Sequence, residues 1–136
     1  MSIHTGAWGL YQWFREHGVH LVHPDDLGAF ERLMPNSKVF ICEGSEGDYL
    51  VLRYGQERYR TKPELFKVVP RPPRVFGETV WVTRDGRATE ATVSDIIWHF
   101  QRREPFFLLE FDGKKGKKRY WSFDFQTPSG SERPTA

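Results

Sequence analysis

The chain has 136 residues, with 20 Lys and Arg against 18 Asp and Glu, 38% hydrophobic and 15% aromatic. That length suits one ordinary domain or two very small ones, and a formal charge of +2 is too small for a general affinity for polyanions or membrane surfaces, so any basic patch must be local. Cys42 is the single cysteine, which excludes an intrachain disulfide and points to a reducing compartment.

Met1 to Thr5 has neither the basic nor the apolar region of a leader, and no later apolar run is as long as a membrane span. A cytoplasmic protein with no membrane partner is therefore expected. Leu10, Trp13, Phe14 and His17 recur at the spacing of one helix face, with Gly18 as a stop. Gly6 and Gly9 weaken that helix, and the other reading is an irregular segment laying its aromatics on a sheet. From His23 onward the helix signals are stronger. Pro24 suits a first helical position, and Asp25 and Asp26 set negative charge against the positive end of the helix dipole. Leu27, Phe30, Leu33 and Met34 form one apolar stripe, and Pro35-Asn36 turns the chain. Residues 1–36 thus read as a helical cap.

Val39 to Cys42 is rich in strand formers and leads into a glycine-bearing loop from Glu43 to Asp48. Tyr49 to Tyr54 returns as a strand whose alternation assigns Leu50, Leu52 and Tyr54 to the core. Gly55-Gln56 turns the chain, Glu57 to Arg60 pairs back, Pro63 opens a 3₁₀ turn, and Lys67 to Val69 is a last strand. Short strands with tight turns and one helical turn before the last strand describe an SH3-like barrel, here residues 37–70. The proline-rich residues 71–77 read as a stiff linker, with a PxxP-type ligand as the weaker alternative.

The pattern then returns. Tyr49-Leu50-Val51-Leu52-Arg53-Tyr54-Gly55 is echoed by Phe107-Leu108-Leu109-Glu110-Phe111-Asp112-Gly113. Glu78 to Val82, the turn Arg84 to Arg87, a long strand through Ile96, Ile97, Trp98, His99 and Phe100 with a bulge at Ser94-Asp95, and the return from Phe106 to Phe111 make a second SH3-like barrel over 78–125. The tail 126–136 is too polar to fold. The expected fold class is mainly β, two tandem SH3-like small barrels with an N-terminal helical segment.

The best binding candidate is the hairpin Lys114, Lys115, Lys117, Lys118 and Arg119 with Tyr120 and Trp121 following and Trp98 and His99 approaching. Cations neutralise phosphates and exposed rings stack bases; the other reading is a solvated hairpin tip over buried aromatics. Trp81, Trp98, Tyr120 and Trp121 could form an aromatic cage for a methylated ammonium or simply core. His17, His20 and His23 lack a fourth zinc ligand and a shared helix, which favours capping or packing. Cys42 has no nearby base and reads as a small buried hydrophobe. No catalytic residue, cofactor or metal is expected.

Gly9-Leu10-Tyr11-Gln12-Trp13-Phe14, His23-Pro24-Asp25-Asp26-Leu27 with Phe30, and Tyr49 to Gly55 together resemble a family of small uncharacterised bacterial proteins, over residues of about 8 through 125. The resemblance implies a bacterial cytoplasmic protein and carries no activity or catalytic residue. The resulting expectation is a non-enzymatic binding module that engages a protein partner, such as an immunity or adaptor protein's target, through loops and aromatics of the second barrel. RNA or single-stranded DNA binding through the lysine-rich hairpin is the alternative, and an enzyme of unknown class the third reading.

Overall fold

The computed structural model describes residues 4–126, and the chain divides into two compact units between Pro72 and Pro73. In the first unit, β1 (Trp8–Tyr11), β2 (Val39–Glu46), β3 (Tyr49–Tyr54), β4 (Glu57–Thr61) and β5 (Phe66–Val69) form an antiparallel sheet in the order β4-β3-β2-β1-β5. Leu50, Leu52 and Tyr54 are buried as their alternation requires, and a 3₁₀ turn, Pro63–Leu65, precedes β5.

The sequence reading fails at β1. All four of its residues are buried, because the strand sits between β2 and β5 and is covered on both faces. A short run apolar on both sides has no period to read, and its pairing overrides the helix-like spacing of Leu10, Trp13 and Phe14. Gly9 is required there: a Cβ would lie 2.6 Å from both the Lys67 carbonyl and the Phe66 ring, the close approach that marks glycine within a strand. Only a 3₁₀ turn, Arg15–His17, remains of the expected first helix.

The one α-helix among the described residues, α1 (Leu27–Leu33), supplies Phe30, which is fully buried against Tyr11, Trp13, Phe40 and Tyr59 at ring-centre distances of 5.2 to 5.8 Å. Met34 leaves the expected stripe: it takes a left-handed φ of 58° and is 73% exposed. Asp26 makes no side-chain cap bond to the helix. Its carboxylate accepts instead from the Arg60 backbone N–H and Nε, both at 2.9 Å, and Arg60 also donates to Glu46 at 3.0 Å. Burial alone would raise the Asp26 carboxyl, but the hydrogen bonds and charge of Arg60, with His23 adding to them, hold it below the usual carboxylate range.

In the second unit β6 (Thr79–Arg84), β7 (Arg87–His99), β8 (Glu104–Phe111) and β9 (Lys114–Lys115) form an antiparallel sheet in the order β6-β7-β8-β9. Both of its two-residue turns, Asp85-Gly86 and Asp112-Gly113, have positive φ at each position, the geometry that matches strand twist in a hairpin. The expected bulge at Ser94 is present, as a register shift between Val93 and Asp95. After a 3₁₀ turn, Ser122–Asp124, the chain returns to β6: the Gln126 N–H donates to the Trp81 carbonyl at 2.7 Å. The last segment of each unit therefore pairs with that unit's first strand.

Neither sheet is the expected closed barrel. Closure needs strands long enough to tilt and stagger around an axis, whereas β5 has four residues, β9 two, and Gln126 contributes a single bridge. Lys114 and Lys115, expected in a loop, pair with Phe111 and Glu110. Arg74 to Glu78 is bonded within the second unit, through Arg74 to Glu78 and Gly77 to Val93. The expectation for the tail after Gln126 lies outside the described residues. Among those residues, no helix is long and apolar enough to cross a membrane.

Candidate binding site

The pleat divides the nine candidate residues between two faces. Ile96 lies opposite Phe107, and both are fully buried, so this face is the core. Alternation places Trp98 on the core side and His99 on the outer side, with Ile97 and Phe106. Lys114 lies opposite the buried Phe111, and Lys115 opposite Glu110 on the outer side. Tyr120 bridges to Phe107 and is 4% exposed, a core residue. Trp121, one residue on, meets His99 and Phe106, each at 5.4 Å between ring centres. The proposed cage is split: Trp81 and Trp121 stand on the outer face, Trp98 is half-buried on the other face near the end of β7, and Tyr120 is in the core.

The outer cluster is held by the turn that follows β7. His99 Nδ1 accepts the Arg102 N–H at 3.1 Å, and the His99 carbonyl accepts from Arg103, whose φ is 56°. This projects Arg102 over Trp121, with the guanidinium carbon 3.7 Å from the ring centre and 5.9 Å from that of Phe123. Glu104 accepts from Arg102 Nε at 3.0 Å. On the other side, Arg119 covers the Phe106 ring at 4.6 Å. Asp124 accepts the Trp121 N–H at 2.8 Å and so fixes the ring's backbone. Phe123 is 71% exposed and Phe100 is 43% exposed.

The segment Lys114 to Arg119 has five cations in six residues, all exposed. None is ion-paired with a carboxylate among the described residues. Lys118 lies 5.1 Å from the Tyr120 ring centre. The segment runs beside β8, from Lys114 opposite Phe111 to Tyr120 opposite Phe107. Lys114 and His99 stand seven residues apart along β8, roughly 23 Å. The structure therefore brings His99, Arg119 and Trp121 together, sets the lysines along the adjoining edge, and directs Trp98 and Tyr120 elsewhere. Arg102, Phe106 and Phe123 belong to the cluster and were missed. For Phe106 the signal was present, since counting alternation outward from Ile96 through its partner strand puts it beside His99.

Elsewhere the chemistry is quiet. Cys42 is fully buried, and burial raises its thiol pKa, as a small hydrophobe's would be. His17 Nδ1 accepts the Phe14 N–H and His23 Nδ1 the Asp25 N–H, so both cap local turns. No three His, Cys, Asp or Glu among the described residues come together as a metal would need. The first unit carries a largely apolar cleft of about 430 Å³ walled by Trp13, Phe14, Met34 and Pro35; Arg15 and Glu31 at its rim satisfy each other in a two-pronged pair.

A family model described as a family of unknown function, DUF6960, matches residues 1–126. Searches of the curated proteins and of the solved structures returned no match.

Proposed function

The chain belongs to that family of unknown function, which supplies no activity to carry over, and we propose that it is a non-enzymatic binding module working through the outer edge of its second sheet. The observation that carries this is the Arg102 guanidinium lying over Trp121 beside the exposed Phe123. Arginine and tryptophan dominate binding energies at interfaces, and here a turn and a cap hold them ready, so little order is lost on binding. A protein partner fits those residue types. The bare lysine segment beside them favours a nucleic acid, because lysine is depleted in protein interfaces.

We also read both units as open relatives of the SH3-like barrel. Support comes from the shared pairing order, in which a 3₁₀ turn leads the last segment back to the first strand. Members of that superfold bind far more often than they catalyse, which is analogy only.

Capture from a native lysate tests the binding reading. The full chain is expected to retain a macromolecule that a Trp121→Ala/Phe123→Ala variant releases. Equal retention by both, or none by either, overturns it.

A further inference from the structure

We infer that the partner at this edge is a single-stranded nucleic acid, whose phosphates follow Lys114 to Arg119 and whose bases stack at the Arg102, Trp121 and Phe123 end. The inference rests on the binding reading above and names its ligand. Three observations carry it.

First, the cations are placed and their charge is left unmatched. Lys117, Lys118 and Arg119 have no carboxylate partner among the described residues, and Lys115 forms no ion pair with Glu110 opposite it, although the chain pairs arginines freely elsewhere. A row of exposed cations beside one another is costly in self-repulsion and is relieved by a polyanion. Second, the row lies at the sheet's edge. Of the outer-face carboxylates, Glu90 and Asp95 belong to β7 inside the sheet and Glu104 is taken up by Arg102; Glu110 stands opposite Lys115, so a strand running along 114–121 meets five cations with that one carboxylate beside them. Third, the row ends at rings. Phe123, 71% exposed, and the Arg102 guanidinium held on the Trp121 ring offer flat surfaces for unpaired bases, which stack on aromatic faces and on guanidinium planes alike. A duplex hides its base faces and has no use for this end. The span of roughly 23 Å suits the smaller single-strand sites, about four nucleotides.

Fluorescence anisotropy of the full chain with mixed-sequence RNA, single-stranded DNA and the matching duplex, each about a dozen nucleotides long, provides the test. Either single strand should bind more tightly than the duplex, with affinity falling steeply as salt rises. Replacing Lys114, Lys115, Lys117 and Lys118 by Gln should flatten the log affinity against log salt slope by about 3, at roughly 0.7 per lost phosphate contact. Trp121→Ala should weaken binding about tenfold, and Trp121→Phe, which keeps a ring, should restore most of it.

No anisotropy change at low salt overturns the inference, and so does binding that ignores Trp121→Ala and takes duplex as readily as single strand. The exposed lysine variants keep the test decisive if Trp121→Ala unfolds. Should oligonucleotides stay unbound while lysate capture still yields a protein released by the Trp121→Ala/Phe123→Ala variant, the nucleic-acid partner is wrong and the binding module stands. Failure of both assays removes both.

Discussion

The two units follow one pairing plan and treat their cations differently. Residues 1–72 carry nine Lys and Arg against nine Asp and Glu, and residues 73–126 carry ten against eight, so composition barely separates them. In the first unit Arg15, Arg53, Arg58 and Arg60 each end on a carboxylate. Glu43 holds two of them, and Asp26 draws Arg60 against the start of α1. In the second unit Arg74, Arg84, Arg102, Lys118 and Arg119 lie over aromatic rings, and only Arg74 and Arg102 also reach a described carboxylate. A ring face orients a cation without neutralising it. Apart from Lys62 over Tyr49, the positioned cations of the first unit thus serve as fastenings between carboxylates, while those of the second stay largely unneutralised.

Substitutions in each unit test that contrast, with hydrogen exchange of β3 and of β8 amides reporting the two units separately. Phe30→Ala should cost the first unit about 4 kcal/mol, since a fully buried ring touching four others leaves a cavity. Loss of under about 1 kcal/mol there would move the centre of the core elsewhere. Gly9→Ala should cost about 2 to 3 kcal/mol through the clash with Phe66 and the Lys67 carbonyl, again read at β3 and not at β8.

Asp26→Asn sharpens the comparison through pH. The folded carboxyl titrates below its unfolded value, so its contribution is fully present above about pH 4 and is lost as pH falls through the depressed value. The variant should be less stable than wild type at pH 7, and the gap should close in acid; a gap that is constant with pH would separate Asp26 from the network. Met34→Gly should raise first-unit stability by about 1 kcal/mol by relieving a left-handed φ at an exposed side chain. Smallest of all, Phe123→Ser should change β8 protection by less than about 0.5 kcal/mol, because an exposed ring contributes little to folding. A larger loss would make Phe123 a structural residue and weaken its place in the binding site.

Much of this molecule could be read from near neighbours in the chain. The Leu50, Leu52, Tyr54 alternation, the Asp-Gly and glycine turns, the bulge at Ser94 and the 3₁₀ turn after Pro63 are all set by chemistry within a few residues. β1 was not legible, because it acquires strand character only from Val39 to Ile41 on one side and Phe66 to Val69 on the other. Spacing within the segment itself pointed to a helix.

The candidate site divides along the same line. That lysines and aromatics crowd residues 98–121 is plain from the order of residues. Which of them share a surface depends on the bulge, on the register of β7 with β8, and on where Tyr120 meets Phe107. A shift of one residue exchanges the faces of a pleated sheet, so residue types alone could nominate Trp98 and Tyr120 beside His99 and Trp121. Strand pairing across the sheet then put Tyr120 in the core and half-buried Trp98 on that same face, left His99 and Trp121 on the other, and supplied Arg102 and Phe106 as neighbours of this second pair.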